Sequence, residues 1–223
     1  DHSGDERAVA ARGMADALAA QLVVPSPQGT GVVLAPGEWA IERRVANPSY
    51  FSPRTIELLA DASVGPWSDL LDGSRAEILG LTDGGRLLPP DWSTWDASTP
   101  VPAGGPGLDG TPVYSWDAAR VPIRLAESCD LGDRALAASW APLLLDDPSR
   151  VVRDLDGEVT AEAEHPVALV AAAASAHAAG DPDARDELLD RAQQLDEQRP
   201  SYYGSAWVAL GRVLLQTDLA GPC

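Results

Sequence analysis

An aspartate and an arginine lie three residues apart, at Asp117 and Arg120, within the segment Tyr-Ser-Trp-Asp-Ala-Ala-Arg. On a helix this spacing puts both side chains on one face, where the guanidinium can orient the carboxylate. A carboxylate held in a fixed orientation can act as a general base. An ordinary ion pair at the start of a helix has the same spacing, so the pair alone does not separate catalysis from a structural contact.

Two other segments place aromatic and polar side chains in turns. Pro48 restricts Asn47 to an extended conformation, and the residues after it turn toward a helix, which can present Tyr50 at a binding surface. A structural turn with a half-buried tyrosine is the alternative. In the segment Pro-Pro-Asp-Trp, Asp91 and Trp92 fall in a loop, and we expect Trp92 to stack on a ligand.

The aromatic content and the charge point to a class of partner. Seven tryptophans and four tyrosines accompany a single phenylalanine. Both residue types join a flat apolar face to a polar group, which suits stacking on a sugar ring, although filling of the core would explain the same content. The net charge of −18 repels phosphate backbones, so we expect no nucleic acid partner.

Cysteines, histidines and apolar runs narrow the class of protein further. Cys129 and Cys223 are the right number for one disulfide that ties the C-terminal tail to the body, and two buried free thiols are the alternative. The three histidines are scattered without metal-site spacing, so no metal or cofactor is expected. The apolar runs are too short for a membrane span. The acidic start resembles that of a mature chain trimmed upstream, which predicts a secreted or cell-surface protein.

Hydrophobic periodicity predicts an all-α fold of six to eight helices. The predicted helices span residues 5–24, 52–63, 66–81, 115–128, 133–144, 165–179, 181–195 and 200–215. Ser52 and Pro53 are interpreted as the N-cap and first residue of the second helix. We expect a strand-like stretch at 31–37, a long functional loop at 88–113 and an irregular segment with a short hairpin at 146–164. Short connections predict that the last helices pack as antiparallel pairs.

Taken in order, three segments resemble the C-terminal part of glycoside hydrolase family 8. Inverting endo-glucanases make up that family, among them the cellulases of bacterial cellulose-synthesis operons. The segments are 47–60, 87–95 and 114–126, and they match the family's Asn-Pro-Ser-Tyr-aromatic turn, its Pro-Asp-Trp element and its aromatic-x-x-Asp-x-x-Arg motif. The resemblance implies an (α/α)6 barrel, of which the predicted helices form a little over half. Residues 1–223 are then a single domain, the C-terminal part of an incomplete barrel.

The resemblance also implies an activity, namely inverting hydrolysis of a β-1,4-linked polysaccharide or oligosaccharide. Asp117 takes the position of the general base, held by Arg120, and these are the predicted catalytic residues. The predicted substrate-binding residues are Asn47, Tyr50, Asp91, Trp92, Tyr114 and Trp116. The family's acid, a Glu in a Glu-Gly-aromatic context, is not found here. We therefore expect the acid from a missing N-terminal segment or from a separate N-terminal chain of the same protein.

Two other functions stay open at this point. A non-catalytic carbohydrate-binding relative would keep the aromatic cleft without the acid. A helical scaffold is suggested by residues 183–215, which look like a tetratricopeptide-type helix pair, although no 34-residue period recurs upstream. Tyr203 and Trp207, four residues apart in this stretch, are interpreted as packing between helices rather than as a sugar platform.

Overall fold

A computed structural model describes residues 2–26, 31–95 and 99–219 of the chain. Within these ranges the helices are α1 (His2–Gln21), α2 (Glu38–Arg43), α3 (Pro53–Ala62), α4 (Trp67–Leu81), α5 (Arg120–Ala126), α6 (Leu131–Ser139), α7 (Ala141–Leu144), α8 (Pro166–Ala178), α9 (Pro182–Gln198) and α10 (Tyr202–Gln216). The strands are β1 (Val23–Pro25), β2 (Val32–Leu34), β3 (Val45–Ala46), β4 (Trp92–Thr94) and β5 (Val101–Ala103), and a 3-10 turn covers Pro48–Tyr50. The prediction of a mostly helical chain is confirmed.

The core is built around α8, which contacts α5, α6, α7, α9 and α10. Eleven of its thirteen residues are buried, and most of them are alanine or valine. Small side chains let the neighbouring helices approach closely. A Cβ added at Gly211 in α10 would lie 2.6 Å from Cγ1 of Val170 in α8, so this contact requires glycine. Successive pairing of helices, α3 with α4 and α8 with α9, gives a partial α/α toroid.

Proline and side-chain caps explain where the last helices begin. His165 and Asp181 accept backbone hydrogen bonds at the N-caps of α8 and α9, and Pro166 and Pro182 occupy the first helical positions. Ser201 caps α10 in the same way. These three helices lie within a few residues of their predicted bounds.

The predicted N-cap and first residue of α3 are confirmed in position. Ser52 occupies the N-cap position, but its side chain makes no capping hydrogen bond. Its hydroxyl instead contacts Thr55 Oγ1 at 2.8 Å and Glu127 Oε1 at 3.2 Å. The serine therefore joins α3 to the end of α5 rather than satisfying the free amides of its own helix.

The segment predicted as one long loop, 88–113, contains two strands. Within it, β4 pairs antiparallel with β3 and with β5, at Ala46–Ser93 and Trp92–Ala103. These strands are only two or three residues long, and β3 lies far from β4 in the sequence, so no periodicity marks them. A second small sheet joins β1 to β2, in agreement with the strand-like stretch expected near Val33.

The predicted helix 115–128 begins only at Arg120, and residues 116–119 form a turn before it. Asp117 therefore lies in this turn rather than on a helix. The fold brings the turn together with the end of β3, which leads into Asn47, and with the start of β4, which follows Asp91. These three connections form the site described below.

Candidate active site

The side chains of Asn47 and Arg120 converge on the carboxylate of Asp117. Asn47 Nδ2 donates to Asp117 Oδ2 at 3.0 Å, and Arg120 Nη2 forms an ion pair with Asp117 Oδ1. Arg120 Nε also donates to the Asp117 carbonyl oxygen at 3.3 Å. The i, i+3 ion pair between Asp117 and Arg120 is present as predicted. Asp117 lies in the turn before α5, and Arg120 is the first residue of that helix.

Ser49 closes this group into a ring of hydrogen bonds. Its hydroxyl accepts from Arg120 Nη2 and donates to Asn47 Oδ1, and its backbone amide also donates to Asn47 Oδ1 at 3.1 Å. Both bonds to Oδ1 fix the orientation of the Asn47 amide, so that Nδ2 faces Asp117. Asn47 and Ser49 are only 3% and 5% exposed, so their positions are set by the fold. Asn47 thus orients Asp117, and its contact with a substrate stays a prediction.

Asp117 itself stays accessible, because its side chain is 34% exposed. Tyr50, which contacts Arg120, is 49% exposed, and Trp116, the residue before Asp117, is 40% exposed. The guanidinium carbon of Arg120 lies 5.6 Å from the centre of the Tyr50 ring, which holds the ring against the ion pair. A partly exposed carboxylate thus lies near two exposed aromatic residues.

Asp91 is predicted to contact a ligand, and its carboxylate is bound by the chain itself. Oδ1 accepts the backbone amides of Ser115 at 2.9 Å and Ala118 at 2.8 Å, and Oδ2 accepts the Ser115 hydroxyl. Burial raises the pKa of Asp91, and these hydrogen bonds oppose the shift. Asp91 therefore holds the turn that carries Asp117.

Tyr114 is also predicted to bind substrate, but it does not lie at the surface of the described chain. Its side chain is fully buried within the main core cluster, and its backbone forms two hydrogen bonds, both 3.0 Å long, with Arg153. Burial raises the pKa of the phenol. In an irregular segment, the position of an aromatic residue three places before an aspartate does not show whether its side chain faces the core or a ligand.

A second aromatic group joins the turn to the C-terminal helices. The ring of His165 lies 6.4 Å from that of Trp116 and 5.6 Å from that of Tyr203, which in turn lies 6.3 Å from that of Trp207. The Tyr203 hydroxyl donates to the Trp116 carbonyl at 2.9 Å. Trp207 is 6% exposed, in agreement with its interpretation as a packing residue.

Comparison with known families decides the class of protein. Residues 8–214 match the model of glycosyl hydrolases family 8. The chain belongs to this family. No curated protein sequence matched it.

Solved structures confirm the fold of this family 8 chain. A β-1,3-1,4-glucanase from Paenibacillus sp. X4 has a TM-score of 0.75 at 20% identity, over 93% of this chain and 59% of its own. The endo-β-1,4-glucanase CMCax from Acetobacter xylinum has a TM-score of 0.69 at 20% identity, over 95% and 65%. An endo-1,4-D-glucanase from Vibrio fischeri ES114 has a TM-score of 0.65 at 16% identity, over 88% and 59%. The family 8 chain thus spans about 59% to 65% of the length of these structures, which agrees with a partial toroid.

Trp39 is a candidate binding residue that the sequence analysis missed. It lies on α2, is 43% exposed, and its ring centre is 5.9 Å from that of Trp92. The guanidinium carbon of Arg43, one helical turn further on, is 5.7 Å from the Trp39 ring. The four-residue spacing of Trp39 and Arg43 would have predicted the contact between these two side chains on a helix. Trp92 is half-buried against Trp39, and its role in binding stays a prediction.

The predicted disulfide involves Cys223, which lies outside the described residues, so the pairing stays a prediction. Cys129 is half-buried in the connection between α5 and α6. Across the parts of the chain that the structure describes, no helix is both long and apolar enough to cross a membrane.

Proposed function

We propose that Asp117 is the general base of an inverting hydrolysis of a β-1,4-linked glycan, and that a carboxyl group outside residues 1–223 supplies the general acid. The observation that carries this proposal is the ring of hydrogen bonds through Asn47, Ser49 and Arg120, which orients an exposed carboxylate. Membership of glycosyl hydrolases family 8 supports the reaction class.

The hydrogen bonds on Asp117 leave it able to accept a proton from water. An ionised carboxylate has about four lone-pair sites on its two oxygens. Asn47 occupies one site on Oδ2 and Arg120 occupies one on Oδ1, so each oxygen keeps a site for a bound water. A water held there would lose its proton to Asp117 as its oxygen attacks the anomeric carbon.

The acid must stand apart from this base. In inverting glycosidases the two carboxyl groups lie about 6.5–9.5 Å apart, which leaves room for the water. Asp91 lies near Asp117, but its carboxylate is taken up by the amides of Ser115 and Ala118. It is therefore a poor proton donor to a glycosidic oxygen. The chain spans 59% of one glucanase and 65% of another, so the acid can come from the part of the fold that it does not include.

The aromatic surface suits a β-linked glycan. Tyr50 and Trp116 are exposed near the carboxylate. Trp92, whose ring contacts that of Trp39, precedes Ser93, and Ser93 pairs with Ala46, the residue before Asn47. Flat exposed rings near the base would stack on sugars. The solved relatives are named for β-1,3-1,4-glucan and β-1,4-glucan. Since such polymers lie outside the cell, we place the protein at the cell surface or in the secreted fraction.

The stereochemistry of the product tests the reaction type. The complete protein that contains residues 1–223 is mixed with a soluble β-1,4-gluco-oligosaccharide, and the anomeric protons are followed by NMR before mutarotation. Inversion predicts that the α-anomer appears first at the new reducing end. A β-anomer that appears first would mean retention and would exclude the role of Asp117 as a base for water attack. Binding of the oligosaccharide without any cleavage would favour the carbohydrate-binding function instead.

A further inference from the structure

We propose that Asp91 is a positioning residue for the general base, and that it acts through the geometry of its carboxylate rather than through its charge or a proton. This inference rests on the proposed function of Asp117. Asp91 immediately precedes β4, whereas Asp117 lies in the turn before α5, so the contact joins two separate parts of the chain.

The contact is made to the backbone on both sides of the base. Asp91 Oδ1 accepts the amide of Ser115 at 2.9 Å and that of Ala118 at 2.8 Å. The backbone amides at the start of a helical segment have no hydrogen-bond partner within the helix. The side chain of the N-cap residue usually accepts a hydrogen bond from them. Here the carboxylate comes from a residue 24 to 27 positions earlier. Asp91 is thus a remote cap for the turn that carries Asp117.

A further hydrogen bond to the backbone of the same turn comes from α10. The hydroxyl of Tyr203 on α10 donates to the carbonyl of Trp116 at 2.9 Å. Together, Asp91 and Tyr203 fix backbone atoms of Ser115, Trp116 and Ala118, which bracket Asp117. A turn held in this way keeps the Asp117 carboxylate in place for Asn47 and for the attacking water. A displacement of about 1 Å at a reacting group can cost about a hundredfold in rate.

Two substitutions separate geometry from charge. In Asp91→Asn, the remaining Oδ1 can still accept both amides, and Nδ2 can donate to the Ser115 hydroxyl, so the contact survives without the charge. In Asp91→Glu the charge survives, but the extra methylene displaces the carboxylate from the amides. We expect kcat of Asp91→Asn within about threefold of wild type. We expect kcat of Asp91→Glu to fall roughly tenfold to hundredfold, with KM changed by less than about threefold.

The assay uses the complete protein on a soluble β-glucan, with Asp133→Asn as the matched control. Asp133 is a buried carboxylate on α6, and it binds Arg75 through both oxygens. Its substitution should lower the melting temperature and leave kcat unchanged well below that temperature. The double variant Asp91→Glu/Asp117→Asn should be no slower than Asp117→Asn alone, because Asp91 acts through the base.

Each outcome decides between the two claims. If Asp117→Asn is inactive while Asp91→Glu turns over at the wild-type rate, the positioning role is refuted and the proposed function stands. If Asp91→Asn is as slow as Asp91→Glu, the charge or proton of Asp91 is required, and the positioning role is again refuted. If Asp117→Asn turns over at the wild-type rate, both claims fail.

Discussion

Asn47 and Asp117, 70 residues apart in the sequence, are joined by a 3.0 Å hydrogen bond from Nδ2 to Oδ2. The other end of the Asn47 amide accepts two hydrogen bonds from Ser49 and thereby caps the 3-10 turn after β3. One side chain therefore serves two purposes, since it begins a turn and orients a carboxylate on a different segment. The position of Asp117 depends on the β3 connection as much as on α5.

Substitution of Asn47 should separate these two effects. Asn47→Ala removes the bond to Asp117 and the cap, so we expect a loss of roughly tenfold in kcat and about 1 kcal/mol in stability. The matched control is Asp181→Ala, which removes the N-cap of α9 and should cost similar stability at unchanged kcat. Kinetics and thermal unfolding of both variants check this. Equal kcat values for the two would show that the bond to Asp117 has no catalytic effect.

Removal of the Trp116 ring should weaken glycan binding. The ring is 40% exposed beside Asp117, and Tyr203 binds only the backbone carbonyl, so Trp116→Ala leaves that hydrogen bond in place. Aromatic stacking contributes about 0.5–1.5 kcal/mol, which predicts a roughly twofold to tenfold increase in Kd. Calorimetric titration with a β-glucan oligosaccharide measures it. Leu131→Ala, at an exposed position on α6, is the control, and an equal Kd for both variants would remove Trp116 from the binding surface.

The buried Glu77 should make stability depend on pH. Burial raises its pKa from 4.5 to about 7, and a hydrogen bond from Ser93 opposes the shift. Because the folded-state pKa lies above the unfolded value, the stabilising contribution is complete below about pH 4.5 and is lost as the pH rises through about 7. The loss amounts to about 3 kcal/mol at most. Glu77→Gln, whose amide mimics the neutral acid, should therefore become more stable relative to wild type as the pH rises.

Chemical denaturation of wild type and Glu77→Gln at several pH values between about 4.5 and 7 measures the difference in their free energies of unfolding. Glu187→Gln, at an exposed position on α9, is the control and should show a much smaller dependence. A constant difference in unfolding free energy between wild type and Glu77→Gln across the range would show that Glu77 does not titrate there.

Pairing of Cys129 with Cys223 would close a loop of nearly the whole C-terminal half. In the chain-entropy model such a loop contributes on the order of 4–5 kcal/mol, often less in practice. We expect reduction to lower the melting temperature, and we expect Cys129→Ser to lower it by a similar amount. Thiol titration of the denatured, unreduced protein is the direct check, and two reactive thiols would contradict the pairing.

The sequence indicated the long helices and the Asp117–Arg120 pair because both follow from local spacing. Proline at the first position and a capping side chain mark α8 and α9, and an i, i+3 ion pair needs no tertiary information. β3 and β4 are short and far apart in the sequence, so no local sequence pattern predicts that they pair.

Asp91 and Tyr114 show what the sequence does not indicate about side-chain direction. Polar and aromatic residues near a motif were expected to face the ligand, but one satisfies backbone amides and the other fills the core. Whether a side chain in an irregular segment faces solvent depends on the elements that pack around it. Trp39 shows the converse, because its exposure and its contact with Trp92 come from the position of α2 beside β4.

The turnover of Asp117→Asn in the complete protein tests the central claim most directly. Reducing-end release from a soluble β-glucan is measured together with the Kd for the same glycan, since the substitution removes the base and keeps the shape. General-base catalysis predicts a roughly hundredfold to ten-thousandfold fall in kcat with Kd changed by less than about threefold. Equal turnover by wild type and Asp117→Asn would contradict the assignment of Asp117 as the base.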